Sequence, residues 1–150
     1  MTSQQTHVHK QILSSSEEET QNAGKIFSLQ LTGGDVVCLY GNLGSGKTRF
    51  VQGICNGLNV RQHVLSPTFT LINEYESERG TVFHFDFYRL RSTQEILQLG
   101  FSEYLEGNGI CLIEWAEKAE NILPDKRYDI HFQYGKEGNQ RIISIERMNA

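Results

Sequence analysis

Two short apolar runs interrupt the largely polar pattern of the chain, at residues 36–40 and 109–115. Both are rich in β-branched or aromatic side chains, which is typical of buried strands. Residues 48–58 contain no proline, and their apolar side chains recur at a spacing that would place them on one helix face. The pattern therefore predicts a strand, a glycine-rich loop and a helix in succession from Asp35 onward.

Elsewhere the chain alternates with a period of two, which predicts hairpins. Residues 68–88 alternate on either side of a turn at Glu78-Arg79-Gly80. In this hairpin we expect Phe69 and Leu71 on one side of the first strand. In the second strand, one face would carry Phe83, Phe85 and Phe87, and the other His84, Asp86 and Tyr88. Residues 128–134 and 141–145 predict a closing hairpin around the turn at 135–139, and residues 7–13 predict a short edge strand with His7 and His9 facing solvent.

The helices are predicted from capping signals. Ser15 and Glu18 form a capping box that opens a helix to about residue 29, with acidic residues in its first turn. Ser92 and Glu95 form a second box, for a helix that ends near Leu99. Gly100 is a predicted helix stop, residues 101–105 could add a further helical turn, and residues 116–123 are predicted helical as far as a proline at position 124.

The loop between the first buried strand and its helix carries the candidate chemistry. Residues 41–48 read Gly-Asn-Leu-Gly-Ser-Gly-Lys-Thr, a full match to the phosphate-binding pattern G-x-x-x-x-G-K-S/T. Its glycines let backbone N–H groups converge on phosphates at a helix N-terminus. In such loops the lysine reaches the β- and γ-phosphates and the threonine hydroxyl binds Mg²⁺, which assigns these roles to Lys47 and Thr48. The motif predicts a nucleoside triphosphate site.

Composition limits the remaining possibilities. A chain of 150 residues predicts one domain, here residues 1–150, with 38% hydrophobic and 21% charged residues, as in ordinary globular proteins. A net charge of −4 argues against a surface devoted to nucleic acid. No apolar run approaches membrane-spanning length, and residues 1–11 lack the apolar segment of a secretion signal. Cys38, Cys55 and Cys111 form no paired motif, so we expect reduced thiols and a cytoplasmic protein.

Several motifs together resemble one family. The chain contains GNLGSGKT, SPTFTLINEY, HFDFYRL and LIEW, in this order. This combination is similar to the TsaE family, also called YjeE or YdiB, and the resemblance covers nearly the whole chain. It implies an ATPase of bacterial tRNA threonylcarbamoyladenosine biosynthesis that works with the partner proteins TsaD and TsaB and meets tRNA through their assembly. The chain departs from the family pattern at Asn42, where an acidic residue is usual, and at Ala116, where proline or glycine is frequent.

The candidate site residues extend beyond the loop. Glu114 ends the second buried strand, where such proteins place the carboxylate that holds or orients Mg²⁺. Asp86 is a candidate general base or metal partner, with a salt bridge to Arg89 or Arg91 as the alternative. Thr68 could sense the γ-phosphate. Trp115 either stacks near the nucleotide or packs in the core, and the role of His84 stays open. The predicted nucleotide-binding residues are Asn42, Leu43, Gly44, Ser45, Gly46, Lys47, Thr48, Thr68 and Trp115; those for the metal are Thr48 and Glu114, and the catalytic pair is Asp86 and Glu114.

The sequence favours ATP over GTP because no N/T-K-x-D element is present. The predicted architecture is α/β, a P-loop NTPase fold with a mostly parallel central sheet flanked by helices and with antiparallel hairpins. The leading function is a Mg-ATP-dependent ATPase of the tRNA-modifying assembly. One alternative is a small-molecule kinase with Asp86 as base, although residues 92–109 lack the basic side chains of a phosphate lid. Another is a nucleotide-gated binding module without meaningful turnover. Arg89 and Arg91 are the only arginines that the sequence suggests for the phosphates.

Overall fold

A computed structural model describes residues 8–149 of the chain. Within them, seven strands form one sheet in the order β1-β7-β6-β2-β5-β4-β3. The strands are β1 (Val8–Ser14), β2 (Val36–Tyr40), β3 (Ile72–Ser77), β4 (Gly80–Asp86), β5 (Ile110–Glu114), β6 (Arg127–Tyr134) and β7 (Arg141–Met148). The α-helices are α1 (Glu17–Phe27), α2 (Lys47–Gly57), α3 (Thr93–Gln98) and α4 (Phe101–Glu106). Two 3₁₀ segments follow α1 and β5, at Ser28–Gln30 and Ala116–Ile122.

The centre of the sheet is parallel and its margins are antiparallel. β2 pairs in parallel with β5 and β6, and β4 pairs in parallel with β5. The hairpins β3–β4 and β6–β7 are antiparallel, as is the outer pair β1–β7. The predicted α/β architecture is therefore confirmed. Because β6, β2, β5 and β4 run the same way, their carboxyl ends meet at one edge, where ligands bind in open α/β sheets.

Apolar side chains are buried on both faces of the sheet. On one face α1 and α2 cover the strands, with Phe27, Phe50, Ile54, Leu39, Leu112 and Ile130 in the core. On the other face α3, α4 and the second 3₁₀ segment cover Cys38, Phe85, Phe87, Phe101, Cys111 and Ile113. Burying one such large side chain stabilises the fold by about 1.5–3 kcal/mol. The central strands are apolar on both sides for this reason, whereas β4 has an aromatic and a polar face.

Helices α1 and α2 approach each other closely through glycines. A Cβ at Gly24 would lie 2.2 Å from the Phe50 carbonyl oxygen, and one at Gly53 would lie 1.9 Å from the Gln21 carbonyl oxygen. Only glycine permits this backbone contact. The close contact fixes α1 against α2, the helix that follows the phosphate loop.

Most predicted elements are confirmed, with shifts at their ends. Both predicted hairpins are present, although the first strand of the earlier one is shorter than predicted. Ser92 caps α3 by accepting from the Glu95 N–H, and Gly100, in the left-handed conformation, follows the end of that helix. The predicted helix after Glu114 is a 3₁₀ segment. The edge strand begins within the described range at Val8, so His7 lies outside the described residues, and His9 is exposed as expected. No helix within residues 8–149 has both the length and the apolar character needed to cross a bilayer.

The predicted first capping box is wrong by one residue. Ser16, not Ser15, caps α1, because its hydroxyl accepts the Glu19 backbone N–H at 3.0 Å. The Glu19 carboxylate in turn accepts the Ser15 N–H, so the reciprocal bond reaches one residue further back than in a standard box. Three consecutive serines precede this helix, and the sequence pattern alone did not distinguish between them.

The predicted start of the first hairpin strand is also wrong. Residues 68–70 form a turn, and β3 begins only at Ile72. Phe69, expected to pack beside Leu71, is 84% exposed. The turn is closed by the Leu71 N–H, which donates to the Pro67 carbonyl at 2.6 Å, and Leu71 itself adopts a positive φ of 70°. These residues therefore form a surface loop at the carboxyl edge of the sheet.

Candidate functional site

The loop from Gly41 to Gly46 connects the carboxyl end of β2 to the N-terminus of α2. Gly46 is the N-cap of that helix with φ 108°, a left-handed conformation that favours glycine. The Ser45 N–H donates to the Asn42 carbonyl at 3.1 Å, which holds the loop in its curled form. The first N–H groups of any α-helix lack intrahelical acceptors, and they carry the positive end of the helix dipole. The sequence and the geometry at the start of α2 are therefore those that suit the binding of an anion.

A cleft of about 530 Å³ opens above this loop at the carboxyl edge of the sheet. It brings together the predicted residues Leu43, Gly44, Ser45, Gly46, Lys47, Thr48, Thr68, Asp86, Glu114 and Trp115. Asn42 is the predicted site residue that does not line the cleft. Its carbonyl supports the loop from behind, so its contribution in this structure comes from the backbone.

Glu114 and Thr48 meet at the floor of the cleft. The Thr48 hydroxyl donates to Glu114, with its Oγ1 2.9 Å from Oε1 and 3.2 Å from Oε2. The same carboxylate also contacts His84, whose Nε2 lies 2.6 Å from Oε2. His84 and Glu114 are both fully or almost fully buried, so this carboxylate is held from two sides.

Asp86 lies beside Glu114 because the two residues are register partners on the parallel strands β4 and β5. Its Oδ2 accepts the Thr68 hydroxyl at 2.9 Å and the Ser66 hydroxyl at 3.3 Å, and its Oδ1 accepts the Tyr88 N–H at 2.9 Å. In the described part of the chain the alternative salt bridge to Arg89 or Arg91 is not formed. Asp86 instead ties the 66–68 loop to the cleft.

Lys47 carries the positive charge of the loop into a buried position. Its ammonium donates to the Gly41 carbonyl and lies 3.8 Å from the centroid of the Trp115 ring, within range of a cation–π contact. Burial lowers the pKa of Lys47 from its usual value, and the nearby carboxylates Glu114, Glu117 and Asp86 counteract part of that effect. Trp115 therefore lines the cleft beside the lysine, with its own backbone at φ 59°.

The donor set suits a divalent cation that takes most of its ligands from phosphate and water. Mg²⁺ prefers oxygen ligands and is usually held by one or two protein oxygens plus substrate phosphates. The Thr48 hydroxyl and the Glu114 carboxylate supply such oxygens next to the anion site. Among the described residues no group of three His, Cys, Asp or Glu side chains could hold a metal by itself. The residues present therefore fit a nucleotide-bound Mg²⁺ rather than a metal bound by protein alone.

Sequence reasoning missed one end of the cleft and misjudged its arginines. Ser16, Glu17 and Thr20 of α1, with Gly138, Asn139 and Arg141 of the β6–β7 turn, also line the cleft. The basic side chains lining it are Lys47, Arg49 and Arg141, whereas Arg89 and Arg91 do not line it. Arg89 instead lies over the exposed Phe69 ring at 5.2 Å. Because β6 pairs in parallel with β2, the β6–β7 turn lies at the carboxyl edge of the sheet. The hairpin pattern in the sequence does not predict that pairing.

A mixed α/β sheet with a glycine-rich loop before a helix and two strand-end carboxylates defines a protein of the P-loop NTPase class. The family model described as threonylcarbamoyl adenosine biosynthesis protein TsaE matches residues 14–143. The chain belongs to the TsaE family, which confirms the resemblance seen in its motifs.

Known relatives agree with this assignment. The tRNA threonylcarbamoyladenosine biosynthesis protein TsaE of Rickettsia typhi is 38% identical over 137 residues, covering 89% of this chain and 92% of the relative. The protein of that name from Nostoc sp. is 42% identical over 129 residues, covering 83% and 78% respectively. The crystal structure of Bacillus subtilis YdiB superposes with a TM-score of 0.79 at 32% identity, covering 95% of this chain and 87% of that one. The fold is therefore shared with a solved structure.

Proposed function

We propose that this protein binds Mg-ATP in the cleft and hydrolyses it in support of tRNA threonylcarbamoylation. The observation that carries the proposal is the Thr48–Glu114 contact of 2.9 Å beside the curled glycine loop. In P-loop NTPases the loop threonine and an acidic strand end hold the metal that bridges the β- and γ-phosphates. The family membership connects this chemistry with tRNA threonylcarbamoyladenosine biosynthesis.

Each residue of the site has a distinct task in this proposal. The loop N–H groups and Lys47 bind the phosphates, and the Thr48 hydroxyl and the Glu114 carboxylate face the metal position. Bound Mg²⁺ would neutralise charge on the β- and γ-phosphates. Asp86 accepts a proton from, or orients, the attacking water, because its carboxylate stands next to Glu114 on the neighbouring strand. Thr68 links that carboxylate to the exposed 66–68 loop.

In this proposal the two ends of the cleft bind different parts of the nucleotide. Asp86, Glu114 and Thr68 lie on the β4–β5 side of the loop, so the γ-phosphate belongs there. The nucleoside then extends to the opposite side, between α1 and the β6–β7 turn, where Arg141 stacks on Tyr134 at 4.5 Å. Of the arginines that line the cleft, Arg49 pairs with Glu17 of α1 at 3.0 Å and Arg141 lies beside the β6–β7 turn. The described residues therefore supply no arginine to the γ-phosphate end in this proposal.

An incomplete γ-phosphate end predicts slow hydrolysis by the protein alone. Charge in the transition state of phosphoryl transfer is often neutralised by an arginine supplied in trans, worth about 10³–10⁵ in turnover. TsaD and TsaB are the proposed partners, with tRNA reached through their assembly in the cytoplasm. The exposed loop around Phe69 is joined through Thr68 to Asp86, so a partner could sense or complete the site from outside.

ADP production measured for the protein alone, with TsaD and TsaB, and with added tRNA tests the proposal. We expect slow release alone and faster release in the assembly, and Lys47→Ala in the same assembly serves as the inactive control. Rapid turnover that does not depend on the partners would contradict the proposed assembly role. Nucleotide binding without any ADP, even in the complete assembly, would favour a binding module instead.

The kinase alternative gains no support from the position of the expected lid. Residues 92–109, which include α3 and α4, contribute no residue to the cleft lining. A kinase usually closes a basic segment over the phosphates, and this segment packs on the far face of the sheet. ADP formation that needs an added acceptor hydroxyl rather than water would revive this alternative.

A further inference from the structure

His84 is a buried ionisable residue for which the proposed chemistry has no task. It lies on β4, two residues before Asp86, and its side chain is 0% exposed. Side chains two residues apart on a strand share a face, so His84 and Asp86 both point toward the side where Glu114 lies. Its closest polar contact is the 2.6 Å approach of Nε2 to Glu114 Oε2.

The hydrogen-bonding capacity of the two side chains shows which nitrogen of His84 donates. An ionised carboxylate has no hydrogen to donate, so the imidazole donates through Nε2–H. Nδ1 is buried and has no partner within the described residues. His84 therefore donates its Nε2 hydrogen to Glu114, and Nδ1 takes no part in that bond.

The two oxygens of Glu114 differ in their contacts, because the ring of His84 approaches Oε2 and the Thr48 hydroxyl favours Oε1. His84 contacts Oε2, and the Thr48 hydroxyl is nearer to Oε1, at 2.9 Å against 3.2 Å for Oε2. A carboxylate held this way cannot rotate about its terminal torsion without losing the short bond to the ring. The Oε1 atom is thus kept on the side of Thr48 and the cleft.

We propose that His84 is a positioning residue that orients the Glu114 carboxylate toward the nucleotide-bound metal. The proposal rests on the Mg-ATP function proposed above. Groups that hydrogen-bond to a metal-facing ligand fix its orientation and basicity, and losing one typically costs about 10–100-fold in metal affinity or activity. His84 acts through Glu114 and touches neither nucleotide nor metal.

Calorimetric titration of ATP, once with Mg²⁺ and once with EDTA, separates positioning from general structure. His84→Leu removes the donor, and we expect it to reduce the ratio of Mg-ATP to metal-free ATP affinity by about 10-fold or more, with metal-free binding unchanged. His84→Gln keeps an N–H near the Nε2 position and should retain most of the ratio. An unchanged ratio in His84→Leu, or equal losses with and without Mg²⁺, would overturn the proposal.

Two further variants define the origin of the effect. Phe83→Leu alters the opposite face of the same strand, where Phe83 contacts Tyr104, and should leave the ratio unchanged. In a Glu114→Gln background, His84→Leu should cause no additional loss, because the group that it orients is already altered. Independent, additive losses would show that His84 acts by another route.

Nitrogen-15 NMR of the imidazole in the nucleotide-free protein tests the hydrogen bond without any ligand. We expect His84 to carry a proton on Nε2, and an Nε2 without a proton would contradict the assigned bond. This measurement stands even if the wild-type protein fails to bind ATP, in which case the Mg-ATP function falls for a reason unrelated to His84. The NMR measurement and the calorimetric titrations therefore test the two proposals independently.

Discussion

Lys47 carries the buried positive charge at the end of the glycine-rich loop. In the structure its ammonium is satisfied by neutral carbonyls of the loop and by the Trp115 ring. Phosphate oxygens are better partners, because hydrogen bonds between ionised groups are roughly twice as strong as neutral ones. Burial also lowers the pKa of Lys47, and an arriving phosphate would favour the charged form.

We expect Lys47→Ala to weaken ATP binding by about 10–100-fold. This is the scale expected from losing a hydrogen bond to a charged group, which contributes about 1.5–3 kcal/mol. Titration with a fluorescent ATP analogue measures the loss. Lys10→Ala is the matched control, since Lys10 is exposed on the edge strand β1 and its removal should leave affinity unchanged. Unaltered affinity in a folded Lys47→Ala protein would remove the phosphate-loop interpretation.

Asp86→Asn should separate binding from hydrolysis. The amide keeps the shape of the side chain and an acceptor for the Tyr88 N–H, but it removes the charge that a general base needs. We expect near-normal ATP affinity by calorimetry, with ADP production in the partner assembly reduced by about 10²-fold or more. Weak binding combined with normal turnover at saturating ATP would make Asp86 a binding residue instead.

At the scale of residues, the sequence predicts the glycine-loop and strand-end side of the cleft and misses the other side. Lys47, Thr48 and Glu114 follow from a local motif and from the end of a buried strand, so short-range reasoning reaches them. Arg141 and Ser16 enter the cleft only because the sheet brings distant segments to one edge. The contact of His84 with Glu114 likewise depends on the register of β4 against β5.

At the scale of elements, the position of α2 depends on a contact between two helix backbones. Gly53 allows α2 to pack directly on the Gln21 carbonyl of α1. Because Lys47 and Thr48 form the first turn of α2, the placement of this helix also sets the distance from the loop to Glu114. A packing contact distant from the cleft therefore supports its geometry.

Gly53→Ala should destabilise the fold although alanine favours helix by about 1 kcal/mol over glycine. The added Cβ would lie 1.9 Å from a carbonyl oxygen, and forced separation of packed elements costs about 1–3 kcal/mol or more. Urea unfolding measures the change in midpoint. Gly107→Ala is the control, because its Cβ would meet neighbours at an ordinary 3.6 Å. Equal stability of the two variants would contradict the close-packing argument.

Predicted elements differ from the structure where tertiary bonds override local pattern. The alternation at 68–72 predicts a strand, yet the hydroxyls of Ser66 and Thr68 bond to Asp86 and draw the chain into a turn. Phe69 is exposed as a result, against the expectation from its alternating position. The central strands were predictable because their runs are buried on both faces, whatever their neighbours.

At the scale of the whole molecule, the three cysteines report on the integrity of the core. Cys38, Cys55 and Cys111 are all buried, and they are free thiols, as the sequence predicts. Burial raises the pKa of Cys55 and of Cys111 to about 12 and raises that of Cys38 further. A raised thiol pKa means that the reactive thiolate is scarce at neutral and mildly alkaline pH.

We therefore expect the folded protein to resist a thiol reagent such as DTNB at pH 8, and all three cysteines to react in urea. If labelling requires global opening, Mg-ATP at about 100 times its dissociation constant should slow it by about 100-fold, which corresponds to about 2.7 kcal/mol. The labelling rate followed by absorbance checks both points. Rapid reaction of one thiol in the native state would show a local opening that the buried core does not predict.

The pairing of β1 with β7 has a consequence for the chain as it leaves the ribosome. Ser14 is opposite Arg141, so the first described strand acquires its neighbour only after the intervening residues are translated, roughly 6 to 25 s later at about 5–20 residues per second. During that interval β1 is a strand without a sheet, open to pairing with other nascent chains. The α1 and β6–β7 sides of the cleft are separated by the same delay. The complete cleft therefore forms only after translation has passed the last hairpin.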